Sequence, residues 1–219
     1  MDFASLERIA LAAVPIILAI TVHEAAHGYV ARMFGDSTAW MLGRVTLNPF
    51  KHIDPVGTVV VPLATLLLGG ILFGWAKPVP VNFGNLRHPK RDMFWVAAAG
   101  PGANLVMALL WAIVFGLASG RGPLASAGLQ VMSFIGVGIN VALMVLNLLP
   151  ILPLDGGRIA VSLLPHSLAV PFARTERYGF FVVIALLVTG VLGVVVGPIA
   201  DGVTALIEVV TGVRLPGGL

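Results

Sequence analysis

From Ile9 to Val22 the chain carries no charged side chain, and the next residues are His23-Glu24-Ala25-Ala26-His27. A run this apolar suits lipid. The three ionisable groups that follow it sit where charge is expensive, and function is the default explanation. On a helix, His23 and His27 leave the same face. Four residues apart, their imidazoles can reach one Zn²⁺ at roughly 2.0–2.1 Å. Glu24 lies beside them, placed to take a proton from the attacking water. The bland alternative is a chance spacing on a soluble helix. It needs solvent, which this segment does not have.

Composition supports the lipid setting. The chain has 219 residues, of which 58% are hydrophobic and 11% charged, with a mean hydropathy of +1.00. Soluble domains carry about 25% charged residues. The net charge of +3 reads as orienting Lys and Arg in short loops. No aromatic-interleaved basic patch supports a nucleic-acid partner. Without cysteine there is no disulfide framework and no thiolate ligand, so His, Asp or Glu must hold any metal. The first residues lack a basic stretch and a small-residue cleavage site. They read as the start of the first helix rather than a removable signal. Residues 1–219 read as a single integral-membrane domain without repeats.

The pattern predicts an all-α polytopic membrane protein with about five to six membrane-embedded helical segments. Helix one runs over about 4–33. Thr38–Leu47 has strand character, and Pro78–Asn82 reads as an edge strand, together a small re-entrant or interfacial β element. Residues 56–76 are uncharged but interrupted by Pro62 and Gly69-Gly70. Further apolar stretches cover about 93–119, 126–164 and, as a C-terminal helical region, 179–213.

A catalytic zinc site takes three protein ligands and keeps one open position. The remaining histidines are His52, His88 and His166, but Asp155 is the stronger candidate. It follows a helix-length apolar run in which Pro150 and Pro153 must unwind the backbone. Gly156 and Gly157 then allow close approach to another element. The competing reading of Asp155 is a helix N-cap. His52 and Asp54, in a proline-flanked loop, read first as a loop-shaping pair and second as an extra ligand or gate.

At this point the chain resembles the site-two protease family of intramembrane zinc metalloproteases, in a compact prokaryotic branch. The resemblance rests on His23 to His27, on Gly100-Pro101-Gly102-Ala103-Asn104, and on Asn147 to Pro150 with Pro153-Leu154-Asp155-Gly156. It implies a three-helix catalytic core, one zinc on His23, His27 and Asp155, and Glu24 as catalytic base. It also implies hydrolysis of transmembrane substrate proteins within the bilayer. No transmembrane helix precedes the histidine helix and no regulatory domain is recognisable, unlike larger members.

Oxyanion stabilisation needs a donor beside the metal. Asn147 is the first choice, and the resemblance points the same way. Asn104 is the second, weighed against helix-packing glue beside Gly100 and Gly102. Asn140 reads as glue. An exposed edge at Thr38–Leu47 or Pro78–Asn82 could hold an unwound substrate by β-augmentation. If residues 56–76 re-enter rather than span, ten of the thirteen Lys and Arg residues fall on one side. That split puts the zinc toward the cytoplasmic face of a prokaryotic membrane. Two other readings compete: a silent metal-binding or scaffold protein, against which Glu24 speaks, and a small metal transporter. A transporter would spread its polar groups along a path, whereas here they cluster.

Overall fold

The structure is a computed structural model that describes residues 3–60 and 77–217. Its elements are α1 (Phe3–Met33), a short α2 (Thr38–Met41), α3 (Pro89–Ser119), α4 (Ala127–Asn147), α5 (Asp155–Leu163), α6 (His166–Ala173), α7 (Glu176–Val188) and α8 (Val191–Thr211). Four helices among the described residues are long and apolar enough to cross a membrane: α1 over Ala10–Met33, α3, α4 and α8. The expected C-terminal helical region is two helices, broken where Gly190 takes a φ of +76°. Most of the segment 56–76, with its expected re-entrant path, lies outside the described residues.

Helices α1, α3 and α4 pack together. The buried residues of α1 include Pro15, Ala19, His23, His27 and Ala31, one every fourth position. Those of α3 include Asp92, Val96, Gly100, Asn104, Ala108 and Ala112, again one every fourth. Such i, i+4 rows are the ridges by which helices interdigitate. Small residues in the rows let backbones approach. At Gly136 of α4 a Cβ would lie 2.5 Å from the Trp111 ring of α3.

The end of α1 and the approach to α3 lie at one level. Phe34 accepts a backbone hydrogen bond from Arg87. Buried Asp36 accepts from the backbone and hydroxyl of Thr38, the backbone of Asn82 and the amide of Asn85. Burial pushes the Asp36 carboxyl up, but these hydrogen bonds outweigh it and hold it below the usual carboxylate range. The chain therefore leaves and re-enters the helical core on the same face, whatever path lies between.

The expected β element is corrected here. Among the described residues there is no strand. Thr38 opens a helical turn because its N–H and hydroxyl are both taken by Asp36, and buried Ala39 packs near Gly28 of α1. Pro78–Asn82 forms no strand, and two of its N–H groups go to side chains: Val79 to Glu24 and Asn82 to Asp36.

Candidate active site

The two histidines of α1 face the buried row of α3. His27 Nδ1 lies 2.7 Å from the Val96 carbonyl oxygen. A carbonyl only accepts, so His27 carries its proton on Nδ1. His23 Nδ1 lies 2.5 Å from Asn104 Oδ1. The amide orientation is set by its other end. Asn104 Nδ2 donates to the Ala19 carbonyl at 3.3 Å and to Asn140 Oδ1 at 2.8 Å. Asn140 in turn donates to the Gly136 carbonyl at 2.8 Å. His23 therefore also carries its proton on Nδ1.

In these neutral tautomers both Nε2 atoms present lone pairs, and they stand 3.1 Å apart. Asp155 Oδ2 lies 3.3 Å from each of them. That oxygen is buried and has no hydrogen-bond partner. Three electron pairs converging in a buried site repel unless a cation lies between them. A tetrahedral zinc with ligands at roughly 2.0–2.1 Å separates those ligands by about 3.3 Å. The donor set therefore fits zinc in type and in spacing. His23, His27 and Asp155 form the one such group among the described residues.

Glycines make this convergence possible. A Cβ on Gly100 would lie 2.4 Å from His27 Nε2 and 2.6 Å from His23 Nε2. Asp155 is the first residue of α5, delivered by a loop that folds back after α4. A Cβ on Gly156 would meet the Leu148 carbonyl oxygen at 2.2 Å, and one on Gly157 would meet the Leu152 nitrogen at 2.6 Å. From outside, Gly179 of α7 presses so close to the Leu152 carbonyl that a Cβ would overlap it. Asp155 is the first residue of a helix and faces the histidines, while Leu154 rather than Asp155 is the N-cap.

Glu24 is partly buried, and its Oε2 accepts the Val79 N–H at 2.7 Å. The backbone beside Val79 is strapped down in turn. Buried Arg44 donates from Nη2 to the Lys77 carbonyl at 2.9 Å. The Lys77 N–H donates to the His52 carbonyl, and the His52 ring donates to the Thr46 carbonyl. His52 thus shapes this loop, while Asp54 caps the turn at Val56 and Gly57. Exposed His88 and His166 lie at the starts of α3 and α6.

Both N–H groups of Asn104 are used within the protein, which leaves no donor for an oxyanion. Asn140 is its support rather than separate glue. The Asn147 amide donates to the Leu143 carbonyl one turn back, at 3.0 Å, near the end of α4.

Sequence reasoning missed Val96, Gly100, Val79 and Arg44 as parts of the site. A signal existed for the first two, which share the four-residue row with Asn104. None existed for Val79 and Arg44, which arrive from distant loops.

The profile described as "Peptidase family M50" matches residues 113–190. The chain is 40% identical over 192 residues to "Putative zinc metalloprotease YwhC" of Bacillus subtilis (strain 168), covering 86% of this chain and 84% of that protein. It is 34% identical over 179 residues to "Putative zinc metalloprotease Rip2" of Mycolicibacterium smegmatis, covering 80% of this chain and 66% of that one. No solved structure matches. With four membrane-length helices among the described residues and a relative aligned over most of both chains, this protein belongs to peptidase family M50, the site-two protease family, as an integral-membrane metalloprotease.

Proposed function

We propose that this protein is an intramembrane zinc endopeptidase that hydrolyses peptide bonds within or near transmembrane segments of membrane-protein substrates. The observation that carries this reading is the buried convergence of three lone pairs from His23, His27 and Asp155. These residues would hold one zinc per chain. Bound there, zinc supplies a Lewis acid for the scissile carbonyl and acidifies a water molecule.

The chain's own residues supply the rest. Glu24 takes the proton of the attacking water and passes it to the leaving amine. The Val79 N–H on Oε2 orients the carboxylate and leaves its other oxygen for this work. Val96 and Asn104 are positioning residues, since they fix the tautomer and the ring plane of each histidine. Asn147 donates to the oxyanion as the carbonyl is attacked. A substrate helix has its backbone bonds satisfied internally and must unwind before it is cut. The backbone of 79–82 offers a place to hold it.

Metal analysis joined to a cleavage assay tests the reading. Wild type should purify with about one zinc per chain and cut a single-pass membrane protein. Asp155→Ala should lose most of the metal and all of the cutting. Full zinc retention in that variant would remove Asp155 from the site.

Asn147→Leu separates chemistry from packing. Turnover should fall by about 10²–10³-fold while zinc content and thermal stability stay near wild type. A drop in stability with normal turnover of the folded fraction would make Asn147 packing only.

We place the active site toward the cytoplasmic face. Arg32, Arg44, Lys77, Arg87 and Lys90 belong to the loops and helix ends on the site's side, whereas Arg121 and Arg214 follow the far ends of α3 and α8. Short loops rich in Lys and Arg stay cytoplasmic. Single cysteines at exposed positions 51 and 88 should label from the cytoplasmic side, and one at position 121 from outside. Labelling of 51 and 88 from opposite sides would overturn this orientation.

A further inference from the structure

Asp201 lies at the midpoint of α8, ten residues after Val191 and ten before Thr211. A 21-residue helix at about 1.5 Å per residue is as long as the hydrocarbon core is thick, roughly 30 Å. The far end of α8 is fixed at the far end of α3, where Val213 packs on Gly116. Asp201 therefore falls near mid-bilayer. Its side chain is exposed, and no hydrogen bond or ion pair within the described residues involves it.

An ionisable group at that depth needs a polar partner, and among the described residues none pairs with Asp201. The ionisable groups His23, His27 and Asp155 face one another in the candidate site. Residues 61–76 contain no ionisable side chain at all. Inward, α8 packs through Val196, Ala200, Val203 and Ile207 against α3 and α4. Asp201 points the other way, on a face with exposed Val194, Pro198 and Ala205. A Cβ on Gly202 would meet nothing within 4 Å. That face is small enough for a second helix backbone to come close.

We infer that α8 pairs with α8 of a second copy of this chain, with Asp201 hydrogen-bonded to Asp201 of that copy. A two-fold axis along the membrane normal brings identical residues together at identical depth. The partner carboxyl is then present at the required level whenever the enzyme is. A passing substrate helix would have to carry a polar group at that one depth, and would leave Asp201 bare between turnovers. The hydrogen bond runs from a carboxyl O–H of one copy to the facing carboxyl oxygen of the other.

The test uses the full chain in liposomes, with energy transfer between donor- and acceptor-labelled copies. Wild type should transfer above the level of random proximity. Asp201→Leu should associate about three- to thirtyfold more weakly, the range expected for a lost interhelical hydrogen bond. It should keep its zinc, since Asp201 lies outside the convergent group of His23, His27 and Asp155. Asp201→Asn should associate nearly as wild type, because an amide both donates and accepts. In this cysteine-free chain, Ala205→Cys should form a disulfide between copies and Leu206→Cys, on a different exposed face, should not. Random-level transfer by wild type, wild-type association by Asp201→Leu, or equal cross-linking at 205 and 206 would each overturn the pairing.

Discussion

Glu24→Gln should hold its zinc, keep its thermal stability and lose proteolysis by about 10²–10⁴-fold, the usual contribution of a positioned general base. One side chain has two jobs here. As an acceptor, Glu24 holds the Val79 N–H at 2.7 Å. The carbonyl oxygen of glutamine can still accept that bond, so the strap across the site stays in place. As a base, Glu24 must bind a proton, which an amide does not do at neutral pH. Only the second job is lost, and volume is conserved. The proposed zinc ligands are untouched, since the convergent group is His23, His27 and Asp155. Zinc content, melting temperature and turnover should be measured on one preparation. Cleavage within tenfold of wild type would mean that another group takes the proton.

Gly100→Ala should cost the protein its metal, although it adds one methyl group outside the ligand set. That methyl would sit 2.4 Å from His27 Nε2 and 2.6 Å from His23 Nε2. Ordinary contact begins near 3.4 Å, so the rings or the helix must yield by about 1 Å. Neither can do so freely. The rings are tied at Nδ1 to Val96 and Asn104, and those partners lie on the same helix as Gly100. A metal site tolerates about 0.2 Å in its ligand distances, well below this displacement. Zinc content should fall to background and cleavage should vanish with it. The overpacking itself should destabilise the fold by about 1–3 kcal/mol, less than the loss of metal would suggest. Gly102→Ala is the control, because a Cβ there meets nothing within 4 Å. Full zinc occupancy in Gly100→Ala would show that the imidazoles lie elsewhere in the native enzyme.

The sequence by itself determined what depends on local periodicity and composition. His23 and His27 share a face because a helix repeats every 3.6 residues. Their surroundings are lipid-like because Ile9–Val22 carries no charge. Asp155 could be singled out because prolines end a helix before it and glycines follow it. Only the tertiary structure decided what depends on partners far along the chain. Asn104 looked equally suited to oxyanion binding or packing. Its Oδ1 accepts from His23, 81 residues away, and its two N–H groups go to Ala19 and Asn140. Gly100 looked like a packing glycine until the imidazoles stood against it. Thr38–Leu47 has the composition of a strand, yet Asp36 takes the Thr38 N–H and hydroxyl and starts a helical turn. Val79 and Arg44 carry no local mark of function. Their roles arise because two loop segments cross over Glu24, and such crossings follow from non-local hydrogen bonds.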